Sequence, residues 1–203
     1  MKTLTLWQIE LIPWYVFIVY WLIGALSVKR TKTRERSADR LVTVVVVVLA
    51  YELLFANWLR IGILRQRFVP QEVWIGWTGI VLTCLGVGIA IWARSCIGQN
   101  WSARVTLKED HRLIRSGPYA FVRHPIYTGM LLGTGGAALV AGEWRGLLAV
   151  ALLLAAHSRK ALREEGLLTT EFGEEYASYR QSTGFLFPRL SGRLGMDTHT
   201  GRS

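Results

Sequence analysis

Residues 111–129 read HRLIRSGPYAFVRHPIYTG, and this stretch decides how the chain is understood. It is basic, it holds two of the four histidines, and a long apolar run follows it. Downstream, that run extends from about Ile126 to Gly142 and is rich in glycine (Gly129, Gly133, Gly135, Gly136). A turn at Glu143-Trp144-Arg145-Gly146 leads into a second apolar run, Leu147 to His157, giving a helical hairpin. The second run is shorter than the about 20 residues a spanning helix needs. Its inner end is therefore expected to continue as a polar helix to about Tyr179, with a loose tail after Pro188.

Upstream lie three more apolar segments, about Trp7–Val28, Leu41–Leu64 and Val73–Ala93. The run Val44–Val48 is β-branched, but the segment's length and lack of turn signals favour a helix. Pro13 is a candidate kink in the first segment, and Glu10 is expected near its outer end, at an interface. Glu52, Asn57 and Arg60 interrupt the far half of the second segment. They are expected as a polar face turned into the bundle, with Arg60 snorkelling outward. Gly76, Gly79, Gly86 and Gly88 on the third offer a small-residue surface for close helix packing. The fold class is therefore an all-α integral membrane protein with about five transmembrane helices.

Composition agrees. Half of the 203 residues are hydrophobic, and the nine tryptophans suit membrane–water interfaces. The net charge of +10 is clustered between apolar segments, which favours membrane orientation over nucleic-acid binding, and no nucleic-acid recognition module is visible. Two cysteines, Cys84 and Cys96, make neither a disulfide framework nor a metal site. The first apolar run has only Lys2 before it and no clean cleavage site after it, so a retained helix is expected rather than a cleaved signal.

The charges also orient the chain. Residues 29–40 carry six basic side chains (Lys29, Arg30, Lys32, Arg34, Arg36, Arg40), and residues 94–123 carry six more (Arg94, Arg104, Lys108, Arg112, Arg115, Arg123). With five crossings these loops and the charged C-terminal segment share one side, so the N-terminus lies outside and the C-terminus in the cytoplasm. The two polar stretches, 111–129 and Arg159–Tyr179, then meet on the cytoplasmic face.

Their chemistry is that of a small-ligand site. Gly117-Pro118 turns the chain just before Tyr119. Pro125 suits the first turn of a helix, and the start of that helix offers unpaired N–H groups and a positive dipole end to an anion. His124 and Tyr127 lie at the helix entry, and Gly129 leaves room beside them. In the second stretch Lys160 and Glu164 are four apart, so the bland reading is a surface ion-pair ladder. The functional reading has Glu164 leave that ladder to hold a cationic or hydroxylated ligand. Phe172, Tyr176 and Tyr179 are expected to pack.

Together, H-x-L-I-x-x-G-P-Y-x-x-V-R-H-P-x-Y-x-G and R-E-E-x-x-L-x-x-x-F-G-x-x-Y-x-x-Y resemble the isoprenylcysteine carboxyl methyltransferase family, which is related to the membrane phospholipid methyltransferases. The resemblance covers about residues 94–188. It implies an integral-membrane enzyme that transfers a methyl group from S-adenosyl-L-methionine to a hydrophobic or lipid-linked acceptor. It implies a cofactor pocket built from His111, Arg112, Leu113, Ile114, Tyr119, His124, Pro125, Ile126, Tyr127 and Glu164. The family arginine linked to the substrate carboxylate falls on Lys160, with Arg163 or Arg159 as substitutes, so Lys160 and Arg163 are the substrate-orienting candidates. No metal is implied. The family's glutamine upstream of His111 falls near Arg104, a departure.

The chain divides into three spans in residues 1–93, a catalytic region in 94–188 with its hairpin and C-terminal helix, and a tail in 189–203. The competing acceptors are a prenylcysteine-type carboxylate and a phospholipid or small-molecule amine. Two readings of other classes stand beside them: an NADPH-dependent membrane reductase of the sterol type, whose C-terminal half looks related, and a non-catalytic membrane scaffold.

Overall fold

A computed structural model describes residues 5–25, 37–98 and 113–189. Five α-helices carry the described chain: α1 (Leu6–Ala25), α2 (Ser37–Phe55), α3 (Val73–Ile97), α4 (Pro125–Ala141) and α5 (Trp144–Ser182). Among the described residues, α1 and α3 are long and apolar enough to cross a membrane. The apolar parts Leu41–Phe55 of α2 and Pro125–Ala141 of α4 are shorter.

The glycines bring α3 and α4 into backbone contact. A Cβ on Gly129 would lie 2.5 Å from the Gly86 carbonyl oxygen and 2.7 Å from the Ala90 nitrogen, and one on Gly79 would lie 2.6 Å from the Gly136 carbonyl oxygen. Only hydrogen fits there, and the close approach sets the axis of the bundle. Gly88 has no neighbour within 4 Å of a Cβ among the described residues and takes no part in this contact. On the other side of α4, Leu53 and Leu54 of α2 join Leu131, Ala137, Ala149 and Leu153 in the main core.

Glu10 departs from expectation. It is fully buried rather than interfacial, and its Oε1 accepts from Trp14 Nε1 at 3.1 Å and from Thr83 Oγ1 at 2.7 Å. It thereby fastens α1 to α3. Thr83 Oγ1 also lies 3.0 Å from the Gly133 carbonyl oxygen, so α4 is drawn into the same polar contact.

The second apolar segment stops being α-helical at Phe55, well short of Leu64. The buried Arg145 supplies the reason: its Nη1 donates to the Leu53 and Ala56 carbonyl oxygens at 2.8 and 2.9 Å. These carbonyls at the helix end lack intrahelical donors, and a guanidinium satisfies them. Arg145 in turn donates to Glu143 at 2.6 Å, and Glu143 also pairs with Arg60. Arg60 is thus held by an ion pair instead of snorkelling freely, and Glu52 is exposed rather than turned inward. Two 3₁₀ turns, Asn57–Leu59 and Gly62–Arg65, follow.

α4 ends at Gly142, in the left-handed region at φ 65°. α5 begins at once and continues far beyond the apolar run, as expected. It breaks at Gly173 (φ 48°, ψ −121°), a conformation that favours glycine. The break turns the last segment so that Tyr176 and Tyr179 are buried, and Tyr179 Oη donates to the Tyr119 carbonyl oxygen at 2.7 Å.

Candidate functional site

Four pieces of chain converge at the start of α4: the turn at 117–120, the segment 121–124, the middle of α5, and the return after α5. Gly117 has φ 60°, and a Cβ there would meet Cys96 Sγ at 2.8 Å, so glycine is required twice over. The turn it starts swings Tyr119 inward, where the side chain packs with Ala93 of α3 and Ile126 of α4. Ile114 packs against the same group, and Leu113 is half-buried. Burial raises the Tyr119 phenol above its ordinary value, with the negative charge of Glu164 acting in the same sense. His111 and Arg112 lie outside the described residues.

His124 is the N-cap residue of α4 and Pro125 its first residue. Proline costs nothing there because that N–H has no intrahelical acceptor, and its ring pushes the preceding residue out of the helical region. His124 accordingly sits at φ −125°, ψ 57°, with its imidazole carried onto α5.

On α5 two adjacent carboxylates straddle that imidazole. Glu165 Oε1 lies 3.2 Å from His124 Nε2, and Glu164 Oε2 lies 3.6 Å from His124 Nδ1. Tyr127, one turn into α4, donates from its hydroxyl to Glu164 Oε1 at 2.6 Å. Arg123 Nε donates to Glu165 Oε1 at 2.6 Å. The two glutamates differ in access: the Glu165 side chain is 6% exposed and the Glu164 side chain 25%. Glu165 is a structural clamp, whereas Glu164 keeps an edge that a ligand can reach.

The electrostatics follow from this arrangement. Burial works against a charged His124, but hydrogen bonds and charge from Glu164 and Glu165 outweigh it and hold the imidazole above its ordinary value. Burial likewise opposes ionisation of Glu165, yet His124 and Arg123 bring it down to about 2. Glu164 is lowered too, against its own desolvation, by His124, Lys160 and Tyr127.

The return segment closes the site from the side. Gly184 N donates to the Phe121 carbonyl oxygen at 3.0 Å, and Arg123 N donates to that of Gly184 at 2.9 Å. Thr128 Oγ1 donates to the Leu186 carbonyl oxygen at 2.6 Å. The Phe185 ring meets His124 edge-on, with centroids 5.3 Å apart.

The structure thus gathers Tyr119, His124, Pro125, Ile126, Tyr127 and Glu164 into one locality. Lys160 belongs to it as well, with Nζ 5.6 Å from the Tyr127 ring centroid. Arg163 points elsewhere: it pairs with Asp39 of α2 at 2.6 Å, as Arg159 does at 3.2 Å. The sequence alone does not single out Glu165, which stands beside Glu164 in the same Glu-Glu pair, and it gives Arg123 a part only in orienting the chain. It also misses the return at 184–186, whose signal is the apolar Phe185-Leu186 after a charged helix. In the sequence His157 reads only as the end of a span. Its ring stacks on Tyr127 with centroids 4.9 Å apart.

Comparison with known proteins places this geometry. Residues 74–175 match the model of the phospholipid methyltransferase family. The cobalt-zinc-cadmium resistance protein CzcN of Cupriavidus metallidurans is 30% identical over 141 residues, covering 68% of this chain and 64% of that protein. The protein-S-isoprenylcysteine O-methyltransferase of Schizosaccharomyces pombe is 35% identical over 101 residues, covering 48% of this chain and 43% of that protein. The chain therefore spans less than two thirds of either relative. The solved structure of the eukaryotic intramembrane Ras methyltransferase ICMT (isoprenylcysteine carboxyl methyltransferase) superposes with a TM-score of 0.50 at 25% identity, covering 76% of this chain and 53% of that one.

Proposed function

The chain belongs to the phospholipid methyltransferase family, on its isoprenylcysteine carboxyl methyltransferase-like side, and from that premise we propose that it is an S-adenosyl-L-methionine-dependent membrane methyltransferase. Its acceptor in this reading is the carboxylate of a hydrophobic, prenylcysteine-type molecule. One observation carries the proposal. The two stretches that resemble the family in sequence meet side chain to side chain, Tyr127 on Glu164 at 2.6 Å.

The residues present fit such a cofactor. Glu164 offers a reachable carboxylate to a cationic or hydroxylated group, and Tyr127 and His124 hold it in place. The first turn of α4 brings the N–H groups of Ile126 and Tyr127, which suit a carboxylate. Tyr119, Ile114 and Ile126 supply apolar walls. His111, Arg112 and Leu113 stay assigned to the same pocket by resemblance. When bound, S-adenosyl-L-methionine supplies a sulfonium methyl already activated for displacement. The protein's contribution is then positioning, which is worth up to about 7–11 kcal/mol when the reacting atoms are held in line. A carboxylate acceptor arrives ionised and asks for no general base. Lys160 is the better placed of the two substrate-orienting candidates, because Arg163 is engaged with Asp39.

The bundle in this reading crosses the membrane five times, with the N-terminus outside and the site on the cytoplasmic side. The clustered basic residues of 29–40 and 94–123 support that orientation. α4 and the first part of α5 are short for full crossings, so the site lies at the depth where headgroups give way to acyl chains.

Calorimetric titration of S-adenosyl-L-methionine tests the reading. Wild-type protein binds, and Glu164→Ala and His124→Ala weaken binding strongly; unchanged affinity in both variants rules out this site. Radiolabelled methyl donor with total membrane lipid then separates a carboxylate acceptor from a phospholipid amine, because base releases the label as volatile methanol only from a methyl ester.

A further inference from the structure

His157 ends the apolar run of α5, and its side chain is 4% exposed. Neither ring nitrogen has a hydrogen-bond partner among the described residues. A buried histidine normally finds at least one partner, and an unsatisfied buried polar group carries a desolvation cost that leucine or phenylalanine would not incur. At the end of this apolar run, the stack on Tyr127 is what a structural role would gain from histidine, and it leaves both ring nitrogens unused.

Its position supplies a use for them. His157, Lys160 and Glu164 are spaced i, i+3 and i+7, so they share one face of α5. Arg159 and Arg163 are on the face that Asp39 engages. At about 1.5 Å rise per residue, His157 lies about 4.5 Å below Lys160 and about 10 Å below Glu164 along the helix. The Tyr127 ring ties the three together. His157 stacks on it at 4.9 Å and 15°, Lys160 Nζ stands 5.6 Å from its centroid, and its hydroxyl binds Glu164. The face therefore runs from the cofactor carboxylate at the polar end to an unsatisfied imidazole at the apolar end.

Resting on the methyltransferase reading, we propose that His157 is an acceptor-binding residue that donates a hydrogen bond to the carboxylate of the hydrophobic substrate, beside Lys160. A carboxylate has two oxygens to satisfy. Lys160 contributes a point charge, and His157 adds a directed N–H at the depth where the acceptor's apolar tail enters. In the transfer one carboxylate oxygen forms the O–CH₃ bond as the S–CH₃ bond breaks, and the bonding pair leaves with sulfur. No proton moves. His157 is therefore a donor that orients the nucleophile and not a base.

The test uses S-farnesylcysteine as acceptor with the full-length protein, comparing wild type, His157→Leu and His157→Gln. Leu is expected to raise the acceptor KM about tenfold or more, the effect of losing a hydrogen bond to a charged group. Its calorimetric affinity for S-adenosyl-L-methionine stays within about twofold of wild type. Gln, which keeps a donor, recovers most of the acceptor affinity. An unmoved acceptor KM in the Leu variant, with cofactor binding intact, overturns the proposal alone. A fall in kcat at constant KM with a shifted pH profile overturns it in favour of a base. Loss of cofactor affinity in both variants overturns it in favour of a packing role. Failure of the wild-type protein to bind the cofactor overturns the methyltransferase reading and this proposal with it.

Discussion

Arg123 and Glu165 stand 42 residues apart in sequence and meet at 2.6 Å, with side chains 9% and 6% exposed. That pair joins the entry of α4 to the middle of α5 and fixes where Glu164, the preceding residue, can point. Arg123 is itself held by the Thr183 carbonyl oxygen at 2.6 Å, so the return segment depends on the same contact. Replacing Glu165 by Gln leaves Arg123 buried without its counter-charge and leaves His124 with Glu164 alone. Removing one partner of a buried pair typically costs about 3–5 kcal/mol. Glu165→Gln is expected to lower the thermal midpoint in detergent far more than Glu175→Gln, which touches only the exposed pair with Arg115. Equal midpoints for the two variants would remove Glu165 from its place as clamp.

The same cluster sets a pH dependence of stability. His124 is raised above its ordinary 6.5, so its contribution is full below 6.5 and is lost as pH rises through the folded value. Glu165 is lowered from 4.5 to about 2, so its contribution is full above 4.5 and is lost as pH falls towards 2. The thermal midpoint should therefore be highest between about pH 4.5 and 6.5 and decline on both sides. In His124→Gln the alkaline decline should flatten, while the acid one weakens but persists because Arg123 still lowers Glu165. A midpoint that climbs from pH 6 to 8 would contradict the assignment.

Helix packing gives a prediction away from the site. A Cβ on Gly86 would press on the Gly129 carbonyl oxygen at 2.5 Å, whereas one on Gly88 meets nothing within 4 Å among the described residues. Overpacking a tight contact costs about 1–3 kcal/mol. Gly86→Ala is expected to lower the unfolding midpoint, and Gly88→Ala to leave it unchanged or raise it slightly through helix propensity. Denaturation of the two variants side by side measures the difference.

These residues also show how far the sequence was legible. The α3 glycines announced close packing because spacing on a helix is a local property, whereas the room expected at Gly129 is taken up by the Gly86 and Ala90 backbone. Pro125 placed the start of α4 for the same reason, and the continuation of α5 followed from a run too short to span. Glu10 and Arg145 were not legible, since each is satisfied by groups from another helix: Thr83 for the one, the end of α2 for the other. Glu165 was hidden by its neighbour. Adjacent residues on a helix point about 100° apart, and nothing local says which of Glu164 and Glu165 turns inward. Resemblance singled out Glu164; only the fold shows that Glu165 clamps His124 from the other side.

Tyr127 separates orientation from packing within the candidate site. Its ring lies nearly parallel to His124 and to His157, at 14° and 15°, while its hydroxyl reaches Glu164. Phenylalanine keeps both stacking contacts and removes the hydrogen bond to Glu164. Such a bond to a charged group contributes about 1.5–3 kcal/mol, and Glu164 is open enough for water to replace part of it. Tyr127→Phe is thus expected to weaken S-adenosyl-L-methionine binding about tenfold while changing the unfolding midpoint less than Glu165→Gln does. Calorimetry and thermal unfolding on the same preparation decide it. An unchanged dissociation constant would show that Glu164 needs no orienting partner, and a collapse in stability would show that the hydroxyl serves the fold rather than the ligand.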